Sequence, residues 1–415
     1  MELHGWRSIQ GEFLPYDICD LFVNTTPRYP RPETRNPTPQ DVDEIFVMGE
    51  IDINSHLLNF LSKHNIPLHL FNYYGFYSGS YYPRECRLAG ALLVNQALHY
   101  ADPVKRNHIA REFVLGAAHG AKRALKYYQR KQLRSAASET SEETDEAWID
   151  SSSDDPEPRE AKDDGFSREE ELADIGSDSD TDTEREEDSD INDDIFSPIL
   201  RAIADLEAQV RGIPLDESRP GEGLTGALMG LEGNIHENYY RAWPHILRKD
   251  PDLAFEKRVR HPPDNIVNCM ISYGNGMLYA TCIGAIYHTP LNPTISYLHE
   301  PGARRFSLAF DISEIFKPII VDRLIFTLCN LNQIQAKHFQ FSKDIVNGVE
   351  RPICYLNDAG RRIFSKAYQE KLNSTIYHRG LKRHVSYETL IRMECHKLAH
   401  HLCGSKTYKA LRAWW

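Results

Sequence analysis

Residues 296–318, SYLHEPGARRFSLAFDISEIFKP, place His299, Asp311 and Glu314 among apolar residues, with Arg304, Arg305 and Lys317 close by. Asp311 and Glu314 are three positions apart, so on a helix both carboxylates point to the same side. His299 precedes them by a distance that a short turn can close. Two carboxylates this close repel one another unless positive charge neutralises them. The segment therefore predicts a buried helix with a polar site, and the rest of the chain must supply the reason for that site.

A second acidic side chain occupies an apolar helical face. Residues 226–243, GALMGLEGNIHENYYRAW, fit a helix on which Leu228, Glu232, Ile235 and Tyr239 share one side. A buried carboxylate is costly unless it is paired. An ordinary salt bridge to Arg or Lys is the structural alternative, and the spacing alone does not decide between the two.

Carboxylates and an imidazole from separate segments can form an open site for Mg²⁺ or Mn²⁺. Here Glu232, His299 and Glu314 are the candidate ligands, and Asp311 is an auxiliary acid. Such an ion polarises a phosphodiester and stabilises charge on the attacking and leaving oxygens. Cations near the site would hold the DNA backbone; the candidates are Arg304, Arg305 and Lys317.

The charge of the chain is strongly divided. The 415 residues carry a net charge of −12, but residues 136–195 alone hold 26 Asp and Glu against 4 Lys and Arg. The remainder then has 44 basic and 34 acidic residues, a net charge of +10. A basic body suits a polyanionic partner such as double-stranded DNA. The acidic segment has too few apolar residues to form a core and is predicted to be a disordered insertion.

The pattern predicts an α+β protein. The first part of the chain is predicted to be β-rich, with one helix capped at Asn54 or Ser55. Its Tyr-rich stretch, FNYYGFYSGSYY, is predicted to be a strand pair with a Gly turn. The alternative is that the tyrosine rings stack on bases. Helical periodicity begins at Arg84, breaks at Asp102-Pro103 and resumes near Ile195 to the C-terminus, with GNG at 274–276 read as a break. The predicted regions are a β-rich domain at 1–83, first helices at 84–135, the insertion at 136–195 and an α-helical catalytic domain at 196–415.

Several classes of protein are disfavoured. The sequence contains no run of about 18 apolar residues, so no membrane span is predicted. The first residues lack the apolar stretch of a signal peptide. Eight cysteines occur without a CxxC pair, which is typical of a reduced compartment, so a cytoplasmic location is expected. CHKLAHHLC at 395–403 could suggest zinc, but a structural zinc normally needs four well-placed ligands, and a packed or DNA-facing helix fits better.

Four separated phrases resemble the CRISPR-associated adaptation integrases (Cas family one), which insert new spacers into CRISPR arrays. They occur in the family's order, on both sides of the acidic insertion, which is not part of the family pattern. The phrases are VMGEIDINSHLLNFLSKHNIPLHLFNYYGFYSGSYYPRE (47–85), GLEGNIHENYY (230–240), RVRHPPDNIVNCMISYGNGMLYA (258–280) and LNPTISYLHEPGARRFSLAFDISEIFKPIIVDR (291–323).

The resemblance implies the roles of particular residues. The family's metal-binding Glu falls on Glu232, its His on His299 and its final acid on Glu314, while Asp311 matches an extra acid beside the site. It also implies a homodimer formed through the β-rich domain and a small second CRISPR-associated protein as partner. The expected function is metal-dependent insertion of spacer DNA ends into a repeat. The alternative is a catalytically silent DNA-binding scaffold with structural acids.

Overall fold

The fold is visible in a computed structural model of the chain. The residues it describes are 6–9, 12–15, 21–25, 42–49, 51–84, 87, 89–139, 194–215, 224–248, 250–260, 262–302, 305–346 and 349–414. These ranges form an α+β protein in which small sheets pack at the edge of a large helical core.

The N-terminal part is rich in strands, as predicted. A hairpin is followed by a four-stranded sheet in the order β3-β4-β5-β6, in which only β4 and β5 are parallel. Helix α1 makes the crossover between these two strands and packs on the sheet through Leu57 and Leu61. The elements are β1 (Trp6–Ile9), β2 (Glu12–Pro15), β3 (Leu21–Thr25), β4 (Val42–Val47), α1 (Ser55–His64), β5 (Leu68–Phe71) and β6 (Tyr77–Tyr81).

Local chemistry fixes the ends of α1 and the turn after β5. The side chain of Asn54 accepts a hydrogen bond from the Leu57 N–H at 2.9 Å and caps the helix. Gly75 has a φ of +81°, and a Cβ there would lie 2.7 Å from the ring of Tyr273. Only glycine satisfies both conditions. Strands β5 and β6 pair antiparallel on either side of this turn, so the prediction of a Tyr-rich strand pair with a Gly turn is confirmed.

Helices dominate the rest of the chain. Asp102 caps α3 by accepting the N–H groups of Val104 and Lys105, with Pro103 at the first helical position, so the predicted break is confirmed. The helices are α2 (Gly90–Ala101), α3 (Pro103–Glu139), α4 (Phe196–Gly212), α5 (Leu224–Arg241), α6 (Trp243–Ile246), α7 (Ile266–Tyr287), α8 (Ser307–Phe316), α9 (Arg323–Asn330), α10 (Asp358–Asn373) and α11 (Tyr387–Leu402).

Helix α7 is the central helix of the core. Nearly all of its residues are buried, and its sequence is apolar on every side, as expected for an internal helix. The interpretation of residues 274–276 as a break was wrong, because they lie inside α7. Gly274 allows a close approach there, since a Cβ would lie 2.6 Å from the side chain of Val321.

The C-terminal part is mostly helical, as expected, and it also contains two strand hairpins that the sequence pattern did not predict. Strands β7 (Phe339–Val346) and β8 (Val349–Leu356) form one antiparallel hairpin, and β9 (Thr375–His378) and β10 (Arg383–Ser386) form another. Between β7 and β8 the sequence reads Asn-Gly at 347–348, which is the strongest short signal for a hairpin turn.

Most of the predicted acidic insertion, residues 140–193, lies outside the described residues, and of the N-terminal stretch used to judge a signal peptide only the residues of β1 and β2 are described. At the borders of the insertion, α3 ends at Glu139 and α4 begins at Phe196. Among the helices within the described ranges, none is long and apolar enough to cross a membrane.

Candidate metal centre

Helices α5 and α8 bring two carboxylates and an imidazole together. Glu232 and His236 are one turn apart on α5, and His236 Nε2 lies 3.0 Å from Glu232 Oε1. The same nitrogen lies 3.5 Å from Oε2 of Glu314, which α8 supplies. One potential ligand atom from each of the three residues lies within 4.8 Å of the other two. Across the described ranges, no other set of three His, Cys, Asp or Glu is this close, and His396 and His400 of α11 join none.

This donor set fits a divalent cation. Glu314 Oε2 and His236 Nε2 are buried, and neither makes a hydrogen bond of acceptable geometry with a described residue. Buried polar atoms without partners are costly, and an ion coordinated by both would satisfy them. Carboxylate oxygens favour Mg²⁺ and Mn²⁺, and an imidazole in the set suits Mn²⁺ better than Mg²⁺.

The charges of this group are strongly coupled. Burial acts to lower the pKa of His236, but its interactions with Glu232 and Glu314 outweigh burial and raise it to about 10. Burial acts to raise the pKa of Glu314, but Lys317 and His236 hold it well below its usual range. In the absence of an ion, a protonated His236 therefore balances two carboxylates.

Lys317 completes the charge balance from the end of α8. Its Nζ donates a hydrogen bond to Glu314 Oε1 at 2.5 Å. It begins a six-residue π-helical turn, Lys317–Asp322, that contains Pro318. Proline has no N–H for the usual helical bond, and short π-helical turns inside helices are frequent at functional sites. The turn directs Lys317 towards Glu314 and buries Asp322.

Asp311 fixes the loop that carries His299. Its Oδ2 accepts the N–H groups of Tyr297 and Leu298 at 2.6 and 3.0 Å. Its Oδ1 accepts the N–H of His299 at 3.0 Å and lies 2.8 Å from His299 Nδ1. All four contacts converge on a side chain that is fully buried. Asp311 thus orients His299 with its Nδ1 facing the carboxylate, which leaves Nε2 for another partner.

His299 belongs to the same electrostatic neighbourhood. Burial acts to lower its pKa, but the hydrogen bond to Asp311 and the charges of Asp311, Glu314 and Glu232 outweigh burial and raise it. A carboxylate on one ring nitrogen is the usual support of a metal-binding histidine. His299 is nonetheless outside the three-residue group formed by Glu232, His236 and Glu314.

Further polar groups surround the group. Burial raises the pKa of Asp322 to about 7, against the opposing charges of His236, Lys317 and Arg258. Arg258 is held by hydrogen bonds to the side chains of Asn268 and Ser272 at 3.1 and 2.8 Å. Asn268 in turn donates to Asp264 at 2.9 Å, so this wall of the site is fixed by its own hydrogen bonds.

The three residues that the sequence analysis predicted to contact DNA differ in how exposed they are. Arg305 is exposed, with its guanidinium 5.3 Å above the ring of Phe306. Lys317 is mostly buried and paired with Glu314, so it faces the candidate metal ligands. Arg304 lies outside the described residues.

His236 is the residue that the sequence analysis missed. The signal was present, because Glu-x-x-x-His at 232–236 puts the two side chains on one helix face. The sequence analysis instead assigned the neighbouring Ile235 to the same helix face as Glu232. An acid and a histidine at this spacing, beside an acid from another segment, would have identified the group.

Comparisons with known proteins identify the family and the fold of the chain. The family model of CRISPR associated protein Cas1 matches residues 21–156 and 183–370. A CRISPR-associated endonuclease Cas1 of Moorella thermoacetica is 38% identical over 379 residues, which cover 91% of this chain and 90% of that protein. The solved structure of a Cas1 protein from Thermotoga maritima is 32% identical, with a TM-score of 0.63 and 90% of both chains covered. A casposase bound to integration product has the same fold, with 18% identity, a TM-score of 0.64 and coverage of 92% of this chain and 87% of the casposase.

Proposed function

Because the chain belongs to the Cas1 family of CRISPR-associated proteins, we propose that it is a metal-dependent DNA endonuclease and integrase that inserts spacer DNA into a CRISPR repeat array. The observation that carries the proposal is the cluster of the half-buried Glu232 and His236 with the buried Glu314, with His299 beside it. A protein that only bound DNA would gain nothing from burying two carboxylates and an imidazole in contact, since such a group is costly.

The proposed reaction is a direct transesterification. The 3′-hydroxyl of a spacer end attacks a phosphodiester of the repeat, a new phosphorus–oxygen bond forms, and the 3′-oxygen of the cut strand leaves. The hydroxyl loses its proton and the leaving oxygen gains one, so the number of phosphodiester bonds does not change. Cleavage follows the same path when water is the nucleophile.

We propose that Glu232 and Glu314 hold the divalent ion together with an imidazole, from His299 as the sequence predicts, from His236, or from both. A bound Mg²⁺ or Mn²⁺ would neutralise charge on the phosphate and on the attacking and leaving oxygens. Asp311 acts as a positioning residue, because it fixes the ring of His299. Lys317 can exchange its contact with Glu314 for a phosphate oxygen, as predicted for a DNA-binding residue.

Partners and location complete the proposal. Double-stranded DNA fits the net charge of +10 outside residues 136–195. A homodimer through the β-rich region at 1–83 and a small second CRISPR-associated protein are the partners that the family resemblance implies. The expected location is the cytoplasm.

The proposal is tested with Mn²⁺-dependent and Mg²⁺-dependent cleavage of a branched DNA that carries a spacer end joined to a repeat. Glu232→Gln and Glu314→Gln should each abolish cleavage, because the amide lacks the charge that holds the ion. The exposed Glu237 on α5 provides a matched control, and Glu237→Gln should cleave normally.

Cleavage by both site variants at the wild-type rate would show that the site assignment is wrong, and no cleavage by the wild type in either ion would support the catalytically silent scaffold instead. Parallel variants His236→Ala and His299→Ala, followed by Mn²⁺ titration, identify which imidazole contributes to ion affinity.

A further inference from the structure

A second polar feature lies where α3, the end of α4 and the C-terminal segment meet. It is an open cavity of about 290 Å³, close to the lower end of the range for small-ligand sites. Four cationic side chains line it: Arg111 of α3, Arg211 of α4, and Lys409 and Arg412 of the C-terminal segment. The one acid in the lining is Glu112. None of these residues belongs to the candidate metal centre.

Within the part of the chain that the structure describes, two of the four cations have no counter-charge. Arg111 makes no hydrogen bond or ion pair with any residue in the described ranges, and its Nε is buried without a partner. Lys409 is exposed at the rim and likewise has no ion-pair partner within the described part of the chain. A guanidinium nitrogen buried without an acceptor is costly, so an anion in the cavity would be stabilising.

The only lining acid is already occupied. Glu112 Oε2 accepts the N–H of Ala410 at 3.0 Å and a hydrogen bond from Arg412 Nη2 at 3.1 Å. These contacts hold the C-terminal segment against α3 and fix Arg412 at the wall. Glu112 therefore balances Arg412 and leaves Arg111 and Lys409 uncompensated.

Arg211 is only partly neutralised. It pairs with Glu207, and Glu207 also pairs with Lys122, so one carboxylate serves two cations. Among the described residues, the charged groups that line the cavity, together with Glu207 and Lys122 next to Arg211, are five cations and two carboxylates, a net charge of +3. A surplus of this size, with two guanidinium groups on fixed walls, suits an anion that carries several acceptor oxygens.

We propose that this cavity is a phosphate-binding site in which Arg111, Arg211, Lys409 and Arg412 hold a phosphate group. Guanidinium groups match the oxygens of a phosphate in paired hydrogen bonds, and a lysine at the rim adds a mobile charge. The phosphate can come from the backbone of bound DNA or from a free phosphate or pyrophosphate. The DNA source rests on the proposed function, whereas the site itself does not.

The test compares two double variants with the same change of charge. Arg111→Gln with Lys409→Gln removes the two uncompensated cations. Arg201→Gln with Lys366→Gln removes two exposed cations that do not line the cavity. All measurements use the full chain in EDTA, so a failure of catalysis cannot influence the result. One arm measures duplex DNA affinity as a function of salt, and the other measures thermal stabilisation by inorganic phosphate and by pyrophosphate.

If DNA supplies the phosphate, the cavity variant binds duplex about tenfold more weakly than the control at low salt, a loss of the size of one charge-assisted contact. Its log–log salt slope is then smaller by about 1, the value for one phosphate contact. If a free anion is the ligand, phosphate or pyrophosphate stabilises the wild type and the control, but not the cavity variant, while the DNA slopes agree. Equal behaviour of both variants in both arms would overturn the proposal.

Discussion

Replacing Asp311 by Asn should strongly destabilise the protein. The carboxylate faces four donors, namely the N–H groups of Tyr297, Leu298 and His299 and the Nδ1–H of His299. An amide has only one acceptor oxygen, so in either orientation its NH₂ group faces two of these donors. A hydrogen bond to a charged group contributes about 1.5–3 kcal/mol. Two lost contacts therefore lower the free energy of unfolding by about 3–6 kcal/mol.

The assay is urea unfolding of the metal-free protein, with Glu237→Gln as the control because that residue is exposed on α5. The pKa of His299, followed by NMR, gives a second readout. Asp311 is the main group that raises this pKa against burial, so in Asp311→Asn it should fall. An Asp311→Asn protein that is as stable as the control and has an unchanged His299 pKa would refute this account of the loop.

Three further predictions concern charge. In the metal-free protein, His236 has a pKa of about 10 in the folded state and 6.5 in the unfolded state. The protonated imidazole therefore stabilises the folded protein fully below about pH 6, and this contribution is lost as the pH rises towards 10. The gap in unfolding free energy between wild type and His236→Gln should thus be on the order of 1–3 kcal/mol near pH 6 and shrink towards pH 10; a gap independent of pH would contradict the assignment. Duplex affinity should fall steeply with salt, with a log–log slope of several units, and a flat titration would exclude a phosphate-dominated interface. Deletion of 136–195 should tighten binding to random duplex at low salt if this tract acts as a DNA mimic, whereas equal affinities would mean that it is a neutral insertion.

Local sequence patterns predicted those parts of the fold that depend only on residues close in the sequence. The cap at Asn54 and the break before Pro103 depend on side chains within three positions, so the sequence was sufficient for both. The strands β7–β10 were missed, because the Tyr, Arg and Lys content of this region was interpreted as helical throughout and the Asn-Gly signal at 347–348 was overlooked. The π-helical turn after Phe316 was not predictable either, since it reflects packing against α7, where Gly274 admits Val321.

The candidate site was predicted in part. The cost of acids on apolar faces made Glu232 and Glu314 candidates, the family resemblance implied that they share a site, and the structure brings them together. The approach of His236 to Glu314 depends on how α5 packs beside α8, which no local pattern encodes. The pairing of Lys317 with Glu314 likewise depends on the turn that follows α8, so the sequence indicated the charge of Lys317 but not its partner.

The central claim is that the site at Glu232 and Glu314 joins a DNA 3′-hydroxyl directly to a phosphodiester. The most direct measurement is the joining of a labelled spacer end to a repeat duplex in Mn²⁺, with donors that end in a 3′-hydroxyl or in a 3′-deoxy sugar. The account predicts a joined product from the 3′-hydroxyl donor with the wild type, and none from the deoxy donor or from Glu232→Gln. A joined product from the deoxy donor, or from Glu232→Gln at the wild-type rate, would contradict it.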